Sequence, residues 1–176
     1  MSALSTVKFK NPRAQHNFQG RTCSITGIGS YVPAKILTNA DLEKIVDTSD
    51  EWSTSRTGIK ERRVAAKDEF TSDMAVQAAQ RAMKMAGVTA EQVDLIIVAT
   101  ITPDMPFPAT ACLVQQKIGA RRAAAFDLEA ACSGFIYGLE IGQQFIMSRT
   151  YDTVLIIDTD TVVPEKRPVA TSYSRN

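Results

Sequence analysis

The side chain whose type and setting best suit covalent chemistry is Cys132, in the stretch Glu129-Ala130-Ala131-Cys132-Ser133-Gly134-Phe135. The run from Ala123 to Leu128 predicts a buried strand, and the residues from about Cys132 to Met147 predict a helix. Cys132 therefore falls where a strand hands over to a helix. A thiol there faces the unpaired N–H groups and the positive end of the helix dipole, which favour the thiolate, the nucleophilic form of cysteine. Gly134, Gly138 and Gly142, spaced by four, predict a stripe without side chains on which this helix can pack closely. The plainer fate of a free cysteine is that of a small buried hydrophobe, and this is how Cys23 and Cys112 are read. Three cysteines at these spacings match neither a zinc site nor a disulfide framework, so no metal or redox cofactor is expected. Gly27-x-Gly29 lacks the third glycine and the helix of a dinucleotide fingerprint.

Around that junction the pattern alternates. Cys23 to Ile28 reads as a short strand ended by the turn Gly29-Ser30-Tyr31-Val32-Pro33. Thr38-Asn39-Ala40-Asp41 opens a short helix through Val46, and Ser49-Asp50-Glu51 opens another that carries Trp52 and Arg56 and ends at Gly58. Lys60 to Ala66 reads as extended; Lys60, Arg62, Arg63 and Lys67 make it basic, the usual mark of a solvated face. Thr71-Ser72-Asp73 caps a helix whose Met74, Ala75, Ala78, Ala79, Ala82, Met83 and Ala86 share one face, with Gly87 as its stop. Asp94 to Ile101 is a continuous apolar, β-branched run, as expected of a strand buried on both faces. A helix from Pro108 to Ile118 and a strand from Thr153 to Ile157 complete the series. Strands alternating with helices imply a layered α/β fold, a mostly parallel sheet covered by helices.

The 176 residues are 44% hydrophobic and 22% charged, a globular composition large enough for a core without staples. A net charge of +1 gives no field that would draw nucleic acid, and no apolar run is long enough for a membrane span. The first forty residues lack Asp and Glu and contain Lys8, Lys10, Arg13, Arg21 and Lys35. A transit peptide is one reading of this; a disordered basic leader over residues 1–21 is preferred, because Pro12 interrupts any helix there. The domain is then 22–161, with an irregular tail over 162–176, and the expected location is the cytoplasm.

Ala131-Cys132-Ser133-Gly134-Phe135 resembles the nucleophile motif of the β-ketoacyl-acyl-carrier-protein synthase III family, within the thiolase-like superfamily. Thr38-Asn39-Ala40-Asp41-Leu42-Glu43, Asp47-Thr48-Ser49-Asp50-Glu51-Trp52, Arg56-Thr57-Gly58-Ile59-Lys60-Glu61-Arg62 and Phe107-Pro108-Ala109-Thr110-Ala111-Cys112 occur in that family's order and at its spacing. The resemblance spans roughly residues 22 to 160. It implies the N-terminal half of a thiolase-like α/β fold. It further implies that Cys132 takes an acyl group from acyl-CoA as a thioester, its own N–H forming half of an oxyanion hole. Trp52 and Arg56 would hold the adenine end of CoA, with Thr48 as a further contact, and Phe107 would line the acyl pocket of a partner subunit. CoA thioesters enter as substrate, and no cofactor is implied. Acyl carrier protein would be a partner, with Arg62 and Arg63 as minor candidates for contacting it.

The family's subunit is about twice this length. Its second half supplies a histidine and an asparagine that stabilise the enolate formed when malonyl-acyl-carrier-protein loses carbon dioxide. The one histidine here, His16, falls outside the resemblance. The expected function is thus initiation of fatty-acid synthesis by decarboxylative condensation, in a chain lacking those two groups. It would act as a homodimer or in association with a chain carrying the second half, since an isolated half exposes apolar surface. The rivals are a catalytically dead remnant, a half-subunit of a split enzyme, and a related condensing enzyme such as a 3-hydroxy-3-methylglutaryl-CoA or polyketide-type synthase.

Overall fold

The computed structural model describes residues 22–161. The expected leader and tail lie outside the described residues.

The first unit is small and held by polar contacts. Strand β1 (Lys35–Thr38) leads directly into α1 (Asn39–Leu42). Thr38 closes a capping box: its hydroxyl accepts from the Asp41 N–H at 3.2 Å, and the Asp41 carboxylate accepts from the Thr38 N–H at 3.2 Å. Helix α2 (Asp50–Thr57) starts at Ser49, whose Oγ accepts from the Trp52 N–H at 3.0 Å, and stops at Gly58 in the left-handed conformation, φ 71°. Strand β2 (Glu61–Val64) then pairs antiparallel with β1, Lys35 opposite Val64 and Thr38 opposite Glu61.

Two sequence expectations fail in this part of the chain. The helix opened by Thr38 ends at Leu42 and gives way to turns, rather than running to Val46. Cys23 to Ile28 forms no strand. A strand exists only where a neighbour supplies its hydrogen bonds, and no described strand lies beside this segment. Instead it runs along helix α3 (Thr71–Ala86), so closely that a Cβ on Gly27 would come 2.3 Å from the Ala82 carbonyl oxygen. Glycine alone permits that approach. β1, which the sequence pattern did not suggest, exists because β2 lies beside it.

Helix α3 ends at Gly87, φ 67°, as its sequence demands. The main sheet follows: β3 (Leu95–Ala99), α4 (Thr110–Ile118), β4 (Ala124–Leu128), α5 (Gly134–Met147) and β5 (Val154–Asp158). Its strands are parallel in the order β4-β3-β5, with Leu95 beside both Ala124 and Val154. β3 is buried throughout, which explains its unbroken apolar sequence. Fully burying an isoleucine such as Ile96 or Ile97 stabilises the fold by roughly 1.5–3 kcal/mol.

Alternation along the strands separates two faces. Ile96, Val98, Leu155 and Ile157 join Ala75, Val76 and Ala79 of α3 and Ala111 and Val114 of α4 in one core. On the other face α5 lies against β5 and β3, and the expected glycine stripe makes the contact. A Cβ on Gly138 would come 2.8 Å from Ile156 Cγ2, and one on Gly142 would come 2.9 Å from Ile156 Cδ1. With its small residues on the sheet, α5 turns Phe135, Ile136 and Tyr137 outward. No helix among the described residues is long and apolar enough to cross a membrane.

The capping box makes an acid-range prediction. The Thr38 hydroxyl, the Lys44 ammonium and the Thr38 N–H hold the Asp41 carboxyl down, from an ordinary 3.8 to about 2. A lowered carboxylate contributes stability at pH above its unfolded value, and loses it as pH falls through the folded one. The melting-temperature difference between the wild-type chain and Asp41→Asn should therefore shrink between about pH 4 and about pH 2, when both are followed by circular dichroism.

Candidate active site

Between the end of β4 and the start of α5 the chain makes a short 3₁₀ turn, Ala131–Ser133, and Cys132 sits exposed within it. Ala131 takes φ 44°, a left-handed conformation that costs a residue with a Cβ roughly 1–2 kcal/mol. Such strain persists where surrounding structure enforces it. Here the constraint is Gly134: a Cβ at that position would come 2.7 Å from Ala99 Cβ and 3.3 Å from Asp158 Oδ1. The first turn of α5 is thus held against the carboxyl ends of β3 and β5. That puts Cys132 at the carboxyl edge of the sheet, where open α/β sheets gather their ligands. Beside it, burial and the neighbouring Asp160 carboxylate raise the Asp158 carboxyl above its usual range.

The loop carrying Phe107 leaves the same edge. At its start, Asp160 Oδ1 accepts from the Ile101 N–H at 2.9 Å and from the hydroxyls of Thr100 and Thr102 at 3.0 and 3.1 Å. At its end, the Asp127 carboxylate accepts from the N–H groups of Thr110 and Ala111 at 2.6 and 2.7 Å, satisfying two of the free donors of α4. Between these anchors Phe107 precedes a cis peptide bond to Pro108 and is 87% exposed. The sequence did not single out Asp127 or Asp160. Their partners lie about 17 and 60 residues away, a separation that no local pattern encodes.

Thr48, Trp52 and Arg56 come together elsewhere, on α2 and the turn before it. Asp47, Thr48, Ser49 and Trp52 line an open cleft of about 340 Å³. The indole of Trp52 is 55% exposed, and the Arg56 guanidinium lies over it, 5.0 Å from the ring centroid. An exposed aromatic face with a cation on it suits a planar anionic ligand. The basic run divides differently from the expectation. Arg62 is partly buried and donates to the Asn39 amide oxygen. Arg63 pairs with Glu61 at 3.2 Å and with the Pro33 carbonyl at 3.4 Å. Asn39, which accepts from Arg62 and donates to Asp50, was legible only as the residue after a cap.

Residues 126–164 match the family model for 3-oxoacyl-[acyl-carrier-protein] synthase III. The β-ketoacyl-[acyl-carrier-protein] synthase III of Symbiobacterium thermophilum is 60% identical over 140 residues, which is 80% of this chain and 42% of that protein. The crystal structure of 3-oxoacyl-[acyl-carrier-protein] synthase III from Aquifex aeolicus superposes with a TM-score of 0.75 at 56% identity, covering 77% of this chain and 44% of the other. Over about four fifths of its length this chain is similar in sequence and fold to the β-ketoacyl-acyl-carrier-protein synthase III proteins. It spans less than half the length of the relatives it matches. The priming β-ketosynthase of the R1128 polyketide pathway shares the fold at a TM-score of 0.75, but at 36% identity. The fold is the thiolase-like α/β arrangement that the motifs implied.

Proposed function

We propose that this chain carries the acyl-accepting site of an acyltransferase that initiates fatty-acid synthesis. The observation that carries the reading is the placement of Cys132: exposed, on a strained turn at the carboxyl edge of a parallel sheet, immediately before the N-terminal end of α5. In the first half-reaction the thiolate attacks the carbonyl carbon of an acyl-CoA. The tetrahedral oxyanion collapses, the C–S bond to CoA breaks, and CoA leaves as its thiolate. The N–H of Cys132 supplies one donor to that oxyanion. In the second, malonyl-acyl-carrier-protein loses carbon dioxide, the resulting carbanion attacks the acyl-cysteine, and the cysteine thiolate is released. The histidine and asparagine that the family uses for that carbanion belong, on this reading, to the part of the relatives that this chain does not span.

Thr48, Trp52 and Arg56 hold the nucleotide end of the CoA thioester. Phe107, projecting from the same sheet edge as Cys132, lines the acyl pocket of a second subunit in a homodimer. The location is the cytoplasm, where acyl carrier protein and CoA thioesters meet, and no metal or redox group takes part.

The test is incubation of the chain with radiolabelled acetyl-CoA, followed by acid quench and peptide mapping. Label on the peptide containing Cys132 is the expected result. A folded sample that takes up no label would overturn the reading. Trp52→Ala should weaken binding of adenosine 3′,5′-bisphosphate about 10- to 100-fold in titration calorimetry, since a stacked base contributes about 1–3 kcal/mol. An unchanged affinity would remove Trp52 from the site.

A further inference from the structure

Helix α2 poses a packing problem. Of its eight residues only Ser53 is buried, so apolar contact does not hold it in place, yet it presents the stacked Trp52 and Arg56. Two side chains from outside the helix hold it: Glu43 Oε1 accepts from the Asp50 N–H at 2.7 Å at its start, and Asn39 reaches both of its ends. Asn39 is 2% exposed. Its Nδ2 donates to Asp50 Oδ1 at 2.6 Å, at the first residue of α2, and to the Ile59 carbonyl at 2.9 Å, just past the Gly58 stop. The Thr54 hydroxyl, one turn into the helix, lies 3.4 Å from the same nitrogen. Its Oδ1 accepts from Arg62 of β2, and its backbone N–H donates to the Lys60 carbonyl at 3.1 Å. Both ends of α2 are therefore tied to a single amide, which is itself fixed to the β1–β2 ribbon.

We infer that Asn39 is the positioning residue that sets the angle of α2, and through it the Trp52–Arg56 pair that receives the nucleotide end of a CoA thioester. The inference rests on the CoA reading of that pair. An amide is the one side chain of this size that donates toward Asp50 and Ile59 while accepting from Arg62. A carboxylate in its place would face Asp50 as a like charge. Consistent with the bond, the Asp50 carboxyl is held below the usual carboxylate range, first by Asn39 and then by Thr54.

Trp52 is the only tryptophan in the chain, so its fluorescence reports on α2 alone. The experiment compares the full chain with the single substitution Asn39→Asp and with a double variant that combines Asn39→Asp with Asp50→Asn. In the double variant amide and carboxylate trade places, so the amide now at position 50 can donate to the carboxylate now at position 39. Tryptophan anisotropy is read without ligand, and emission is titrated with adenosine 3′,5′-bisphosphate. For Asn39→Asp the expected results are lower anisotropy and an affinity weaker by about tenfold or more, as for loss of a hydrogen bond to a charged group. The exchange restores the bond between positions 39 and 50 but not the one to the Ile59 carbonyl, so it should recover part of both, which a general loss of stability would not allow. If Asn39→Asp fails to fold, Asp50→Asn alone serves, with a smaller change in the same direction. Unchanged anisotropy and affinity in a folded variant would overturn the inference while leaving the CoA reading intact. A wild-type chain whose fluorescence does not saturate with the nucleotide would overturn that reading, and this inference with it.

Discussion

Cys132→Ala is expected to reduce acyl transfer from acetyl-CoA to background, with no compensating label on Cys23 or Cys112. All three sulfurs are thiols in the same chain, so the comparison isolates environment. Cys112 is partly buried in the first turn of α4, its sulfur 3.9 Å from the Ala125 carbonyl oxygen, and the leading N–H groups of that helix donate to Asp127. Cys23 is exposed too, but lies in a segment without secondary structure. If exposure alone governed reactivity, Cys23 would be labelled as readily, and Cys132→Ala would remove only part of the signal. That partial loss, measured by scintillation counting of the separated peptides, would show that the turn before α5 confers nothing. A melting temperature near that of the wild type is expected, because the replaced sulfur is exposed.

The second large effect is expected at Gly134. Its nearest neighbours are the Cβ of Ala99, 2.7 Å from where a Cβ would stand, and the Asp158 carboxylate at 3.3 Å. Ala99 lies on the fully buried central strand and cannot withdraw. Gly134→Val must therefore lift the first turn of α5 from the sheet. Overpacking of this kind destabilises by about 1–3 kcal/mol. Because Cys132 lies two residues before the displaced turn, acyl transfer should fall further than stability does; a misplacement of about 1 Å can cost on the order of 100-fold. Gly58→Ala provides the control. A Cβ there meets nothing within 4 Å, and only the left-handed backbone, φ 71°, opposes it. A Gly134→Val chain that transferred acyl groups like the wild type would show that the close contact of α5 with β3 does not place the cysteine.

What the sequence determined was local. The left-handed stops at Gly58 and Gly87, the caps at Thr38 and Ser49, the buried run of β3 and the glycine stripe of α5 each rest on residues within one or two turns of one another, and the structure bears them out. The setting of Cys132 at a strand-to-helix junction was legible for the same reason, since strand, turn and helix are consecutive. Its family motifs were legible too, as short strings in a fixed order.

Only the tertiary structure decided the rest. That β3 is central, with β4 and β5 on either side, depends on pairing between strands far apart in the chain. Cys23 to Ile28 has the composition of a strand, but composition supplies no partner, and among the described residues its neighbour is a helix. Arg62 looks like solvated charge in a basic run until the fold brings Asn39 to it, 23 residues away. The same fold gives Asn39 its hold on both ends of α2. Hydrogen bonds of this kind are invisible to periodicity, because they join single polar groups across loops whose path is set by the packing of everything else.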